Sequence, residues 1–404
     1  MAVFLLNDQQ SYSYDFLLKT VCQDDYIPFL KTHDLFGYFA NLIKALSNNQ
    51  PLVLLDSDLN PSELYGIDVS SINRIQQLKS QSYTCIDDVI TAIFASTSEI
   101  TIFTSGTTGQ PKKVIHTVQS LTRSVRSGIK YLGQIWGYAY NPTHMAGLQV
   151  FFQAFANKNM LVNIFRHSRN EVYQQIEEHS ITHISATPTF YRLLLPYEKS
   201  YPSVQRVTLG GEKSDDYLYK MIHLIFPFAK INNVYASTEA GSLFAAKGDC
   251  FQIPLAIRDK FKVVDDELLI HRSLLGRSDS FHLDGDFYHS GDLIEWVNRA
   301  EGTFKFRSRK NELINVGGYK VNPGEVESAI NSINGVRQSL VYGKPNSVLG
   351  NILCAEVQLG NDVILTELDI RRLLKDELQD FKIPRKIKFV DSFTLTRTGK
   401  LKRS

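Results

Sequence analysis

The sequence predicts an α/β protein: a large N-terminal domain of layered sheets and helices, followed by a small α+β C-terminal domain. Two observations lead there. Helix-spaced apolar residues followed by a short apolar strand recur along the chain, the pattern of a largely parallel sheet flanked by helices. Past about residue 305 this rhythm gives way to roughly ninety residues of differently ordered strands and helices, enough for a small domain of its own.

The elements follow in order. Asp34 to Ser47 places Leu35, Phe39, Leu42, Ile43 and Leu46 at helical spacing, and Pro51–Asp56 follows as a buried strand. The pair recurs as helix Glu171–Glu178 with strand Ile181–Ser185, and as helix Tyr217–Phe226 with strand Ile231–Tyr235. In the last part, Pro323–Ile333 reads as a helix opened by proline, and Gln338–Tyr342 and Ile352–Gln358 as strands. Thr366–Leu378 reads as a helix capped by Thr366, with Glu367 in its first turn, and Lys386–Val390 as a final strand. The charged stretch Arg307–Asn315 has loop character and marks the expected boundary, giving domains 1–310 and 311–404.

Bulk properties exclude several classes. The chain has 404 residues, 43% hydrophobic and 21% charged, ordinary for a globular protein of two or three domains. Lys and Arg number 44 against 42 acids, so a net charge of +2 predicts no nucleic-acid partner and no anionic membrane. Cys22, Cys85, Cys250 and Cys354 are scattered without metal-ligand spacing and are expected as reduced thiols. Met1–Leu6 is apolar only briefly, and no apolar run reaches membrane-spanning length. A cytoplasmic protein without membrane insertion is the expectation.

The sharpest chemical signal is EITIFTSGTTGQPKKVIH, from Glu99 to His116. Two strand-like runs flank Thr104, Ser105, Gly106, Thr107, Thr108 and Gly109, and Lys112 follows. Glycines let backbone amides approach an anion closely, hydroxyls add donors, and the lysine adds positive charge. The order is not that of a Walker A loop, because the lysine lies three residues beyond Gly109 and no Ser or Thr follows it. A polar hairpin turn is the bland alternative for such a loop taken alone.

TSGTTGQPK resembles the phosphate loop of the adenylate-forming superfamily, which comprises acyl- and aryl-CoA ligases, luciferases and nonribosomal peptide synthetase adenylation domains. The resemblance continues in order over most of residues 11–404. Asn141–Gly147 is similar to a PxxHxxG segment, which implies that His144 lines the acyl pocket and helps gate a thiol tunnel. Gly210, Gly211 and Glu212 resemble the strand-end turn that packs on adenine. In Val234–Gly241 the resemblance implies Tyr235 stacking on adenine, Thr238 at the α-phosphate and Glu239 holding Mg²⁺. Asp292, in His289–Leu293, would take the ribose hydroxyls, with Arg309 as a second contact. Asn311 falls at the hinge of a mobile C-terminal domain, Gly318 in the loop that lets a pantetheine arm pass, and Lys400 at the catalytic lysine.

The resemblance implies activation of a small carboxylic acid by ATP and Mg²⁺, then transfer to coenzyme A. A phosphopantetheinyl acyl or peptidyl carrier protein is the alternative acceptor, and a catalytically inactive nucleotide-binding homologue the alternative of a different class. The sequence also departs from the pattern. Lys113 replaces a usual glycine, Asn311 replaces a usual Asp or Lys, and the N-terminal region is shortened, which would expose one wall of the acyl site or create a homodimer surface. Ser11–Tyr14 and Leu52–Asp58 look like remnants of early motifs.

Overall fold

Six short apolar strands lie side by side and parallel: Val3–Asn7, Met160–Asn163, Ile135–Tyr138, His183–Ala186, Arg206–Gly210 and Lys230–Ser237. Helices cover the sheet, so Leu5, Leu161, Tyr138, Ile184, Val207 and Leu209 are buried. Gly137 sits where a Cβ would lie 2.8 Å from Ile164 Cδ1, and its absence lets the isoleucines close over the sheet. This computed structural model describes residues 2–60, 63, 66–79, 81–104, 112–346, 349–360, 363–397 and 399–402.

The expectation of a largely parallel sheet holds for this half only. Gly241–Lys247 turns back antiparallel on Lys230–Ser237. Cys250–Gln252, Thr303–Arg309, Phe287–Asn298, Glu267–His271 and Phe261–Val264 continue outward in the same antiparallel manner. The connections explain the switch. Asp265 and Asp266, both at positive φ, join two strands directly, and a two-residue turn leaves no chain for a crossover helix. A separate sheet of Phe29–Lys31, Leu52–Leu55, Glu99–Thr104 and Lys112–Thr117 packs beside it. The buried helix Leu35–Ser47, capped by the Asp34 carboxylate on the Phe36 amide, shares its core.

The C-terminal part builds its own core. Helices Pro323–Asn331 and Glu367–Leu374 bury Val326, Ile330, Ile370 and Leu374 against Val341, Leu353, Val357 and Ile387 of a five-stranded sheet. Thr366 caps the second helix as the sequence suggests. Arg307–Asn315 is not loop throughout. Arg307, Ser308 and Arg309 continue the strand Thr303–Arg309, because pairing with Phe287–Asn298 satisfies their backbone and sets Arg309 opposite Asp292. Among the described residues no helix is long and apolar enough to cross a membrane, and all four cysteines are free thiols.

His183 is buried in the parallel sheet beside Trp136, and desolvation, assisted by Arg206, lowers its pKa to about 4. A histidine depressed from 6.5 contributes stability that is complete above pH 6.5 and is lost as pH falls toward 4. Urea unfolding compared between wild type and His183→Phe should diverge across that window, with His183 costing the wild type about 3 kcal/mol by its lower end.

Candidate active site

Four strands of the parallel sheet end at one edge, where open α/β sheets bind ligands. Tyr138 leads into Asn141–His144, Ala186 into Thr187, Gly210 into Gly211–Glu212, and Ser237 into Thr238–Glu239. The C-terminal segment docks onto this edge and brings Lys400 with it. The Lys400 side chain lies 3.5 Å, measured at Cε, from the position a Cβ on Gly211 would take. Gly211 has φ +82°, so a side chain there would be strained as well as crowding the lysine. Desolvation lowers the Lys400 pKa, opposed chiefly by the Glu212 carboxylate. Glu212 itself accepts from the Thr189 amide at 3.0 Å. Among the described residues no side chain forms an ion pair or hydrogen bond with the Lys400 ammonium.

Several contacts hold the segment in place, among them a bond from Arg397 to the Asp58 carbonyl at 3.2 Å. Arg397 makes a two-pronged ion pair with Glu63, at 2.8 and 2.7 Å. The Asn141 amide reaches the Arg397 carbonyl at 3.4 Å, and the Thr187 hydroxyl reaches the Gly399 carbonyl at 3.3 Å. Hydrogen bonds from Arg397 hold the Glu63 carboxyl at about 2. Asn141 also donates to Asp56 at 2.6 Å. His144 Nε2 lies 3.5 Å from the same carboxylate, a close contact without hydrogen-bond geometry. Burial pushes the Asp56 carboxyl up, but His144, the Asp58 amide and Asn141 together bring it to about 2. His144 begins helix Met145–Phe155, and Gly147 lets that helix sit tight: a Cβ there would strike the Asn141 carbonyl and lie 2.7 Å from the Tyr138 hydroxyl.

Asp292 and Arg309 face each other across paired strands, Nε to Oδ1 at 2.9 Å. The Asp292 carboxylate raises the Arg309 pKa. Tyr235 donates to Asp292 Oδ2 at 2.6 Å. The Tyr235 ring is buried and stacks against Phe306 at 4.7 Å and Phe244 at 5.2 Å, and its hydroxyl supports Asp292.

Thr238 and Glu239 form the turn after Lys230–Ser237, and residues outside the expected set hold them. His116 donates from Nε2 to the Thr238 carbonyl at 2.8 Å, and its Nδ1 meets the Ser120 hydroxyl at 3.0 Å. Thr238's carbonyl can only accept, so Nε2 carries the proton. Desolvation lowers the His116 pKa to about 4, which keeps the ring neutral. The Gly276 amide takes the Glu239 carbonyl at 2.8 Å, and a Cβ on Gly276 would lie 2.7 Å from the His116 ring. Glu267, buried, accepts from the Gly291 amide beside Asp292 and pairs with Lys310 and His289.

Ser105, Gly106, Thr107, Thr108 and Gly109 lie outside the described residues. Thr104 and Lys112 pair at the ends of the hairpin strands that carry them. Two predicted residues are exposed: Gly318, at φ +91° with open space where a Cβ would stand, and Asn311, in the turn after Arg309. Gly210 closes its strand, where a Cβ would lie 3.0 Å from Val234. The donor set fits a nucleotide: a cation without an anionic partner, an acid able to bind a diol, and a turn with Glu239. Among the described residues no cluster of three metal-ligating side chains exists. A lone carboxylate suits Mg²⁺ completed by phosphate oxygens and water.

Comparison with known proteins agrees with this geometry. The family model for AMP-binding enzymes matches residues 79–268, and that for the AMP-binding enzyme C-terminal domain matches residues 325–400. The chain belongs to the adenylate-forming superfamily of AMP-binding ligases. It is 28% identical to gramicidin S synthase 2 of Brevibacillus brevis over 354 residues, 75% of this chain but 8% of that protein's length. It is 25% identical to 2-succinylbenzoate–CoA ligase of Staphylococcus epidermidis over 375 residues, covering 85% of this chain and 75% of the relative. In fold it resembles ATP-bound MatB from Rhodopseudomonas palustris, with TM-score 0.75 and 16% identity over 99% of this chain and 94% of that one. It also resembles the o-succinylbenzoate coenzyme A synthetase MenE of Bacillus subtilis with ATP and magnesium, with TM-score 0.70 and 20% identity over 99% and 95%.

Asp56, Glu63, His116, Glu267 and Arg397 were absent from the expected site. Arg397 stands three residues before Lys400, which was a usable signal. The others offer only ordinary side chains in ordinary segments.

Glu63→Gln should release the docked segment. Brief labelling with an amine-reactive ester, read by mass spectrometry, should modify Lys400 about five times faster than in wild type, the effect of losing roughly 1 kcal/mol. His116→Ala should raise the KM for Mg-ATP about tenfold and leave the KM of the acid unchanged, since one buried hydrogen bond to the Thr238 turn is removed.

Proposed function

We propose that this protein activates a carboxylic acid with ATP as an acyl-adenylate, releasing pyrophosphate, and then passes the acyl group to the thiol of coenzyme A. The observation that carries this reading is Lys400, an ammonium in a desolvated place beside Gly211 that forms no ion pair or hydrogen bond with any described side chain. Such a group stabilises negative charge that arrives with the reactants and grows in the transition state. A carboxylate oxygen attacks the α-phosphorus, the new P–O bond forms, and the bond to pyrophosphate breaks. Lys400 bridges the carboxylate and the α-phosphate, Thr238 donates to the α-phosphate, and Asp292 with Arg309 orients the ribose. Glu239 would hold Mg²⁺, which neutralises charge on the departing pyrophosphate. The loop Thr104–Gly109 with Lys112 would bind the β- and γ-phosphates.

In the second half-reaction the thiolate attacks the acyl carbon, AMP leaves, and the thiol proton passes to solvent. The chain would divide at residues 1–310 and 311–404 and rotate about Asn311. That motion would withdraw Lys400 and carry Gly318 toward the acyl group. Coenzyme A as acceptor is supported by the CoA ligase relative, of which the match covers three quarters. A phosphopantetheinylated carrier protein is the second reading, favoured by the peptide synthetase match.

ATP–pyrophosphate exchange across a panel of carboxylic acids tests the reading. Lys400→Ala should lower exchange by at least about a hundredfold and spare thiol attack on a supplied acyl-adenylate. Equal losses in both half-reactions would count against domain alternation. No exchange with any acid would leave a nucleotide-binding protein without this activity.

A further inference from the structure

The wall beyond Glu239 carries a polar pair. Met145 and Gln149 lie one helical turn apart on helix Met145–Phe155, so they share a face. That face meets Gly241 and Ser242, two and three residues past Glu239. Gln149 Nε2 lies 2.9 Å from where a Gly241 Cβ would stand, and Met145 Sδ lies 3.7 Å from the same point. Gly241 has φ +67°, so glycine both permits the turn and leaves room for the amide. The Ser242 hydroxyl donates to Gln149 Oε1 at 2.9 Å, which fixes the amide with its NH₂ group toward Gly241. Among the described residues, that NH₂ group donates to nothing.

We infer that Gln149, oriented by Ser242, is a specificity-determining residue, and that the acid activated here carries a neutral hydrogen-bond acceptor toward its far end. The inference rests on the proposed adenylation and assigns its substrate class. His144 and Met145 open the helix beside Asp56 and Asn141, which contact the Lys400 segment, and Gln149 stands one turn further along the helix. An acid with its carboxylate at Lys400 and Thr238 extends along this wall. A carbonyl, amide or hydroxyl oxygen reaching Gln149 gains a hydrogen bond, whereas a methylene or methyl group leaves two amide protons without a partner. Sites built to hydrogen-bond a substrate reject the analogue that lacks the group far more strongly than apolar pockets discriminate by size. The pair contains no cation, so a second carboxylate would be desolvated without compensation. A neutral acceptor fits best.

Pyrophosphate exchange with matched acids decides the matter: levulinate against isocaproate, para-acetylbenzoate against para-isopropylbenzoate, and glutarate as the dianion. Wild type should favour the keto acid of a pair by at least about tenfold in kcat/KM, with glutarate below it. Gln149→Leu should abolish or reverse that preference. Gln149→Glu, which keeps the shape and replaces the donor with an acceptor, should lose it too. Both variants should keep wild-type affinity for ATP by calorimetry, a check that they fold. Equal rates for keto and apolar acids in wild type, a preference for glutarate, or a preference that survives both variants would overturn the inference while leaving adenylation intact. Silence with every acid would overturn the parent reading and the inference with it, so the two failures are distinguishable.

Discussion

An ammonium held in a desolvated place, paired or hydrogen-bonded to no described side chain, is the constraint on which the rest of this structure depends. Left alone, Lys400 would move to water, since desolvation disfavours its charged form. It stays because its chain segment is fastened elsewhere, by Arg397 on Glu63 and by the carbonyls of Arg397 and Gly399 on Asn141 and Thr187. The fastening groups lie on the large domain and leave the ammonium itself unsatisfied. On the proposed reaction, neutralisation would fall to the anions of the reactants, which is how a site favours charge that develops during reaction.

The same separation of holding from reacting recurs at the other residues. At the turn of Thr238 and Glu239, His116 and Gly276 bond the two backbone carbonyls and leave the side chains out of the holding contacts. Asp292 faces the edge while Tyr235 and Arg309 bond its oxygens and Glu267 secures the neighbouring Gly291 amide. Asp56 carries His144 on one side and Asn141 on the other. Asp292 is itself enclosed, while the Arg309 side chain that bonds it stays half exposed. His116 adds a protective feature, because its depressed pKa keeps it a neutral donor throughout the range in which such a reaction would run.

Much of this was legible in the sequence, for identifiable reasons. Helices alternating with short apolar runs located several of the parallel strands, because strands buried on both faces are largely apolar. The order of short polar turns located Gly211, Thr238, Glu239, Asp292, Arg309 and Lys400, which the fold brings to one edge or its clasp. What escaped depends on neighbours distant along the chain. Nothing in Val234–Gly241 announces that Phe244 and Phe306 would occupy the faces of Tyr235, since Phe306 arrives from an antiparallel strand some seventy residues later. The antiparallel half was misjudged because its turns, such as Asp265-Asp266, were not weighed as hairpin signals. Arg307–Arg309 read as loop because charge was taken for exposure, whereas strand pairing tolerates charged side chains on an outer face.

Asn141 shows why the acyl wall and the docked lysine cannot be independent. One amide group donates both to Asp56, beside His144, and to the carbonyl of Arg397. Shifting His144 to admit an acid moves a carboxylate that Asn141 is bonded to, and that amide then either follows Asp56 or keeps Arg397. The bond to Asp56 is short and charge-assisted, at 2.6 Å, while that to Arg397 is long and neutral, at 3.4 Å. The weaker one yields. On the proposed reaction, an acid that displaces His144 would weaken one of the contacts that hold the segment carrying Lys400, the others being those of Arg397 with Glu63 and of Thr187 with Gly399. Selection of the acid and retention of the lysine draw on the same amide, so the site need not recognise its substrate in one place and commit to chemistry in another.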